Sequence, residues 1–187
     1  ERKLRAGRPF TRAHIRVMDH HRAHAEGAYR TQPHEHCLVL TIDAMGDGTT
    51  ATASIGRDGQ LDRLWRQSGL ASVNSFYSRV TQILGFKPNR HEGKITGLAA
   101  YVPPPPALVA HMQTKVAFKA PGFTRLSSRR TERPDDPFWS EVARWSREEV
   151  AAAAQHVLEQ AVVGFVQHWV RETGCRNVAL AGGTAAN

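Results

Sequence analysis

The sequence predicts an α/β fold in which helices cover a mixed sheet. Two segments of strand length, 37–42 and 49–55, are rich in β-branched residues, and after a turn the segment 61–67 can return as a third strand. Two longer segments, 72–84 and 146–173, instead carry apolar residues at helical spacing. The short connections make the first three strands antiparallel neighbours, and a fourth apolar segment at 177–181 adds a strand after the last helix.

The elements around the first strand are short. Residues 15–19 alternate between apolar and polar, which predicts a strand that leads into a helix beginning near His20. Gly27 predicts an early end for this helix. The strand at 37–42 then delivers Asp43 into a turn, and residues 56–59 form the next turn.

The middle of the chain carries several breaks. Gly85 stands where the helix at 72–84 needs a C-terminal stop. Glycines on both sides of Lys94 predict that 91–101 is a loop, with Lys94 either meeting an anion or lying at the surface. Four prolines at 103–106 predict a stiff connection, and 119–137 has the weak periodicity of a loop or an insertion.

The C-terminal part has clear boundary signals. Ser146 and Glu149 form a capping box that opens the last helix, and Gly174 ends it. The strand at 177–181 runs into Gly182 and Gly183, where a further helix is expected to begin. A strand, two glycines and a helix N-terminus are typical of an anion or nucleotide site, although a tight turn also favours glycine.

A metal site is predicted from His20, His24 and Asp43. Histidines four positions apart lie on one face of a helix, one turn apart, and Asp43 comes at the end of the first strand. Two histidines and one carboxylate suit Fe²⁺, with Zn²⁺ or Mn²⁺ as alternatives. The competing interpretation is a polar helix face and a capping aspartate. The segment 33–37, with His, Glu, His and Cys, is a weaker ligand candidate.

Composition bounds the possible partners and location. The 187 residues carry a net charge of +8 and a pI near 10.2, with a basic cluster at Arg129, Arg130 and Arg133. Aromatic and basic residues do not alternate as in proteins that stack bases, so nucleic acid is the minor alternative to a phosphate-bearing small substrate. No membrane-length apolar run occurs in the sequence, and the basic first residues are not followed by the apolar segment typical of a secretory signal. Two distant cysteines lead us to expect a reducing cytoplasm.

The order of the motifs resembles the O-carbamoyltransferases, which carbamoylate nodulation factors, cephalosporin precursors and aminoglycosides. The matching runs are D-H-H-x-A-H-A, T-I-D-x-x-G-D-G, L-G-F, E-x-K-x-x-G-L-A-x-Y and L-A-G-G-x-A-x-N, at 19–25, 41–48, 84–86, 92–101 and 180–187. The resemblance implies an actin-like, ribonuclease-H-like ATPase fold, shared with threonylcarbamoyladenosine-forming enzymes. It divides the chain into a first lobe with the metal site (1–118), a loop or insertion (119–145) and the start of a second lobe (146–187).

The resemblance also implies the roles of individual residues. His20, His24 and Asp43 become ligands of a divalent metal, most commonly iron. Gly46, Asp47 and Gly48 fall in a phosphate-facing turn, and Gly182, Gly183 and Asn187 in the nucleotide turn. Glu92 and Lys94 match a loop near the nucleotide. His21 is either the base for the acceptor hydroxyl or a packing residue.

The implied reaction joins carbamoyl phosphate and ATP into carbamoyl adenylate, with Mg²⁺ as a further cation, and then transfers the carbamoyl group to a hydroxyl of a small-molecule acceptor. The alternatives are transfer to a protein thiol, as in hydrogenase maturation, and a non-catalytic metal- or nucleotide-binding module. Val102 and the prolines after it depart from the family pattern, as does the lack of a G-x-D-x-S strand. The last metal ligand and the adenylate-forming domain are expected outside residues 1–187, so we expect this chain alone to transfer no carbamoyl group. The oligomeric state stays open.

Overall fold

The computed structural model describes residues 16–69, 72–124 and 136–187. The elements follow in the order α1 (His20–Thr31), β1 (Cys37–Gly46), β2 (Thr49–Arg57), β3 (Gln60–Ser68), α2 (Val73–Ile83), α3 (Glu92–Ala99), α4 (Pro106–Gln113), β4 (Phe118–Lys119), β5 (Gly122–Phe123), α5 (Pro137–Val142), α6 (Arg147–Thr173), β6 (Val178–Ala181) and a 3₁₀ turn (Gly183–Ala186). None of the described helices has the length and apolar character that a membrane crossing requires.

A four-stranded mixed sheet forms the centre of the fold, in the order β3-β2-β1-β6. The first three strands are antiparallel neighbours, and β6 lies parallel to β1, with Leu38 opposite Val178 and Thr41 opposite Ala181. The predicted mixed α/β class is therefore confirmed. Strand β6, which follows α6, belongs to the same sheet as β1–β3, while the division of the chain into two lobes stays a prediction.

Strand β1 separates two apolar layers because its side chains alternate between the faces of the sheet. The even positions from Leu38 to Ile42 join the main core, which contains residues of α2 to α6. The odd positions face α1, where Cys37 and Val39 pack with Ala25 and Tyr29. Continued alternation places Asp43 on the α1 face as well.

Several boundaries were predicted correctly. Ser72 caps α2 by accepting a hydrogen bond from Ser75 N–H, and both bonds of the capping box between Ser146 and Glu149 are present. Gly174 ends α6 in the left-handed conformation, with φ of 66°.

Other local predictions were wrong. Residues 16–19 form no strand; Asp19 instead caps α1 through Arg22 N–H. Helix α1 continues past Gly27, and β1 continues to Gly46 instead of ending at Asp43.

Three predicted irregular or helical segments also differ from the structure. The loop predicted at 91–101 is largely α3. The described part of 119–137 contains most of the β4–β5 hairpin and the first residue of α5. The helix expected after Gly183 is a 3₁₀ turn in the described chain. Ile15 and the predicted basic cluster of Arg129, Arg130 and Arg133 lie outside the described residues.

Candidate metal centre

His20, His24 and Asp43 converge at the beginning of α1. The Nε2 atoms of His20 and His24 lie 3.0 and 3.1 Å from Oδ2 of Asp43. One potential donor atom from each residue lies within 4.8 Å of the others. Within the described parts of the chain no other three His, Cys, Asp or Glu side chains form such a group, so the segment 33–37 does not provide one.

The Asp43 carboxylate is held in its ionised form. Its Oδ1 accepts a hydrogen bond from Ala44 N–H at 2.7 Å, while Oδ2 faces the two imidazoles. Partial burial raises the pKa of Asp43, but the hydrogen bonds from His20, from Ala44 N–H and from His24 outweigh burial, and the pKa lies below its ordinary value. Two imidazole nitrogens and an ionised carboxylate are a donor set that fits a divalent metal ion such as Fe²⁺ or Zn²⁺.

His21 points away from this group and into the protein. Its side chain is fully buried, with Nε2 3.0 Å from the Thr49 carbonyl oxygen and Nδ1 2.7 Å from Oγ1 of Thr41. Burial lowers the pKa of His21, which favours the neutral ring. A carbonyl only accepts, so Nε2–H donates to Thr49, Nδ1 accepts from Thr41, and Thr41 in turn accepts from Thr52. This placement favours the packing role over the role of a base.

Gly46, Asp47 and Gly48 belong to the β1–β2 hairpin. Asp47 and Gly48 both have positive φ, of 50° and 72°, as a two-residue hairpin turn requires. Asp47 also accepts a 2.8 Å hydrogen bond from His20 N–H at the start of α1. Gly46 and Asp47 line an open cavity of about 610 Å³ that the two histidines share.

A second cavity, of about 580 Å³, opens on the other side of the centre. Its wall contains Asp43, Glu92, Gly183 and Asn187, which places four predicted site residues around one space. Gly182, with φ of 96°, is not part of this wall and packs against the backbone of Ile42. Lys94 is not part of the wall; its ammonium lies 5.5 Å from the centre of the Phe86 ring, which favours the surface alternative.

Sequence reasoning missed the polar side chains from α2 and α3 that complete this wall. Oγ1 of Thr96 donates to Oδ1 of Asn187 at 2.5 Å, and Tyr77 OH donates to Gln155 at 2.7 Å. Burial raises the pKa of Tyr77, so its hydroxyl is a donor at neutral pH. Helical spacing in the sequence places Tyr77 on the apolar face of its helix, and only the packing of α2 against α3 and α6 reveals its polar partners.

Glu92 is the second carboxylate of the wall. Its Oε1 accepts hydrogen bonds from Asn89 N–H at 2.6 Å and from Ser78 Oγ at 3.0 Å. These two bonds fix the carboxylate beside the cavity. No lysine or arginine occurs among the described residues that line this space.

Comparison with known proteins identifies the family. The family described as "Carbamoyltransferase N-terminus" matches residues 4–187. The uncharacterized protein sll1178 of Synechocystis sp. is 30% identical over 185 residues, covering 90% of this chain and 30% of that protein. Nodulation protein NolNO of Sinorhizobium fredii is 28% identical over 182 residues, covering 92% of this chain and 26% of that protein. Nodulation protein NolO of Bradyrhizobium diazoefficiens is 27% identical over 179 residues, covering 91% and 32%.

The chain thus spans less than a third of the length of each of these three relatives. The match nevertheless extends over almost all of the chain, including the histidine pair, Asp43 and the Gly182–Gly183 turn. By sequence, this chain belongs to the carbamoyltransferase N-terminus family.

Proposed function

We propose that this chain is the metal- and nucleotide-binding part of an O-carbamoyltransferase. In the proposed reaction, carbamoyl phosphate, ATP and water yield carbamoyl adenylate with release of phosphate and pyrophosphate. The carbamoyl group then passes to a hydroxyl of a small-molecule acceptor, and AMP leaves with the hydroxyl proton. The observation that carries the proposal is the position of Asp43, which faces two histidines and also lines the 580 Å³ cavity with Gly183 and Asn187. The family match supports carbamoyl transfer as the reaction class.

The charge of the cavity explains why a nucleotide site here requires a metal. Its described lining contains the carboxylates of Asp43 and Glu92 and no lysine or arginine, so a phosphate entering it meets negative charge. His20, His24 and Asp43 would hold a divalent cation at this point. When bound, such a cation supplies positive charge next to oxygens on which negative charge develops.

The chain's own residues then bind and orient the ligand. Glu92, fixed by Asn89 and Ser78, is placed to accept hydrogen bonds from hydroxyl groups such as those of a ribose. Asn187 and Thr96 add amide and hydroxyl groups to the same wall. Asp43 lies between this cavity and the histidine-lined one, so we place the nucleotide on the Gly183 side and the acceptor on the histidine side.

The proposal extends to the fold and the location. An antiparallel three-stranded unit joined by a parallel strand after a long helix is compatible with the actin-like ATPase fold, which we propose for the complete protein. Cys37 and Cys175 are free and buried, which supports a reducing, cytoplasmic location.

The first experiment measures metal and nucleotide binding by the 187-residue chain. We expect Zn²⁺, or Fe²⁺ without oxygen, to bind at one site, and His24→Ala to weaken binding while the exposed His34→Ala leaves it unchanged. AMP binding should increase when the metal is added and fall when it is chelated. Unchanged metal binding in both His20→Ala and His24→Ala would show that the centre is not where we place it.

The second experiment measures the reaction itself, in the full-length protein. Carbamoyl phosphate and ATP should be consumed, with carbamate formed on a hydroxyl acceptor such as a sugar. Product on a thiol would instead support the hydrogenase-maturation type of transfer. Metal and AMP binding without any consumption of carbamoyl phosphate would support the non-catalytic module.

A further inference from the structure

We infer that Gly46 is a positioning residue for the metal ligand His20. The sequence motif places Gly46 in a phosphate-facing turn, but in the structure it lies directly beneath the His20 imidazole. A Cβ atom added at Gly46 would overlap Cγ and Cδ2 of His20 and would lie 2.6 Å from its Cβ. The absence of a side chain at Gly46 is therefore what lets the ring lie against β1. The inference rests on the metal centre proposed above.

Rotation of the His20 side chain relieves only the part of this overlap that involves the ring. The position of Cβ is fixed by the backbone, so the 2.6 Å approach to Cβ persists in every rotamer. The backbone of α1 would have to move instead. That backbone is held at this point by the 2.8 Å hydrogen bond from His20 N–H to Asp47, one residue after Gly46.

The displacement is large on the scale of metal coordination. Carbon atoms in contact lie about 3.5 Å apart, so an alanine at position 46 pushes His20 away by about 1 Å. Metal–ligand distances are held to within about 0.2 Å. We therefore expect Gly46→Ala to weaken metal binding by about 10- to 100-fold, the range found when a residue that orients a ligand is lost.

The chain offers a matched control at the other end of the same helix. Gly56 on β2 lies beneath the Tyr29 ring of α1, and a Cβ added there would overlap that ring and lie 2.7 Å from its Cζ. Neither glycine has positive φ, so alanine at either position acts through this contact and not through backbone strain. Tyr29 is not a metal donor, so Gly56→Ala perturbs the packing of α1 without acting on a ligand.

The experiment is Zn²⁺ titration by calorimetry of the wild type, Gly46→Ala, Gly56→Ala, His20→Gly and the double variant Gly46→Ala/His20→Gly. We expect Gly46→Ala to lose affinity and Gly56→Ala to keep it within about 3-fold, at comparable loss of stability. In the His20→Gly background, where the ring and its Cβ are gone, Gly46→Ala should change the affinity by less than about 2-fold, because the two residues act as one unit. Equal losses of Zn²⁺ affinity in Gly46→Ala and Gly56→Ala would overturn the inference. So would a loss caused by Gly46→Ala in the His20→Gly background that is as large as its loss in the wild type.

Imidazole ¹⁵N spectra without metal separate this inference from the proposed function. We expect Gly46→Ala to shift the His20 ring signals, since the 3.0 Å contact of Nε2 with Asp43 is lost. If the wild type binds no metal, the proposed centre fails, and a shifted His20 signal still supports the positioning by Gly46. An unshifted signal in folded Gly46→Ala overturns the positioning by itself. Should Gly46→Ala not fold, recovery of folding in Gly46→Ala/His20→Gly supports the contact, and no recovery contradicts it.

Discussion

Replacing His21 by leucine distinguishes a packing role from a catalytic one. The imidazole is fully buried and joins the Thr49 carbonyl to the hydroxyl of Thr41. Leucine fills a similar space but leaves the carbonyl without its imidazole donor and the Thr41 hydroxyl without its acceptor. A buried polar group that loses its partner costs about 1–3 kcal/mol, and two groups lose one here, so we expect the free energy of unfolding to fall by roughly 2–6 kcal/mol.

The assay is urea denaturation of the 187-residue chain, followed by far-UV circular dichroism and extrapolated linearly to water. His34→Leu is the control, because the His34 side chain is exposed and its replacement should change stability by less than about 0.5 kcal/mol. A His21→Leu variant as stable as the wild type would refute the hydrogen-bond argument. If that stable variant also abolished carbamoyl transfer in the full-length protein, His21 would have the catalytic role instead.

Three further predictions concern the cavity, the core and the capping box. Gly183→Val should weaken AMP binding with the circular dichroism spectrum retained, since a Cβ there lies 3.2 Å from Oδ1 of Asp43; equal affinity would leave this turn a structural role only. Phe165→Ala, at a fully buried position of α6, should cost about 3–5 kcal/mol in urea denaturation, against less than about 0.5 kcal/mol for the half-exposed Val163→Ala. The hydroxyl and N–H of the N-cap serine hold the pKa of Glu149 below its ordinary value. The stability that the ionised Glu149 side chain adds is therefore present above its unfolded-state pKa and is lost as pH falls through its folded-state pKa. The urea midpoints of wild type and Glu149→Gln should therefore differ at about pH 7 and converge as the pH falls below the folded-state pKa of Glu149, and a constant difference would contradict this origin.

The sheet and the longest helix could be predicted because their signals are local. β-branched residues mark β1 and β2, the turn at 56–59 marks the start of β3, and the capping box and Gly174 mark the two ends of α6. Helix α3 was missed because Gly93 and Gly97 lower its intrinsic helix propensity. Its buried Ile95 packs into the core, and α3 lies against α6, so tertiary contacts override the local preference.

In the candidate site, too, the residues marked by local spacing could be predicted and the contacts between distant elements could not. Histidines four residues apart identify a shared helix face, and the strand that follows supplies Asp43, so these three residues could be named from the sequence. The contact between Gly46 and His20 depends on how α1 crosses β1, which local spacing does not encode. The same holds for Thr96, whose partner Asn187 lies in a distant part of the chain.

The parallel pairing of β1 with β6 has a consequence for the order in which the site forms. Leu38 and Val178 pair although about 140 residues separate them, so this contact closes a long stretch of chain and is expected late in folding. The contacts of Asp43 with His20 and His24 span only 23 and 19 residues. During synthesis on the ribosome, the metal donors are therefore expected to assemble before Gly183 and Asn187 arrive to complete the cavity. A nascent chain halted before β6 would then hold the three candidate donors together while lacking the part of the cavity wall that Gly183 and Asn187 form.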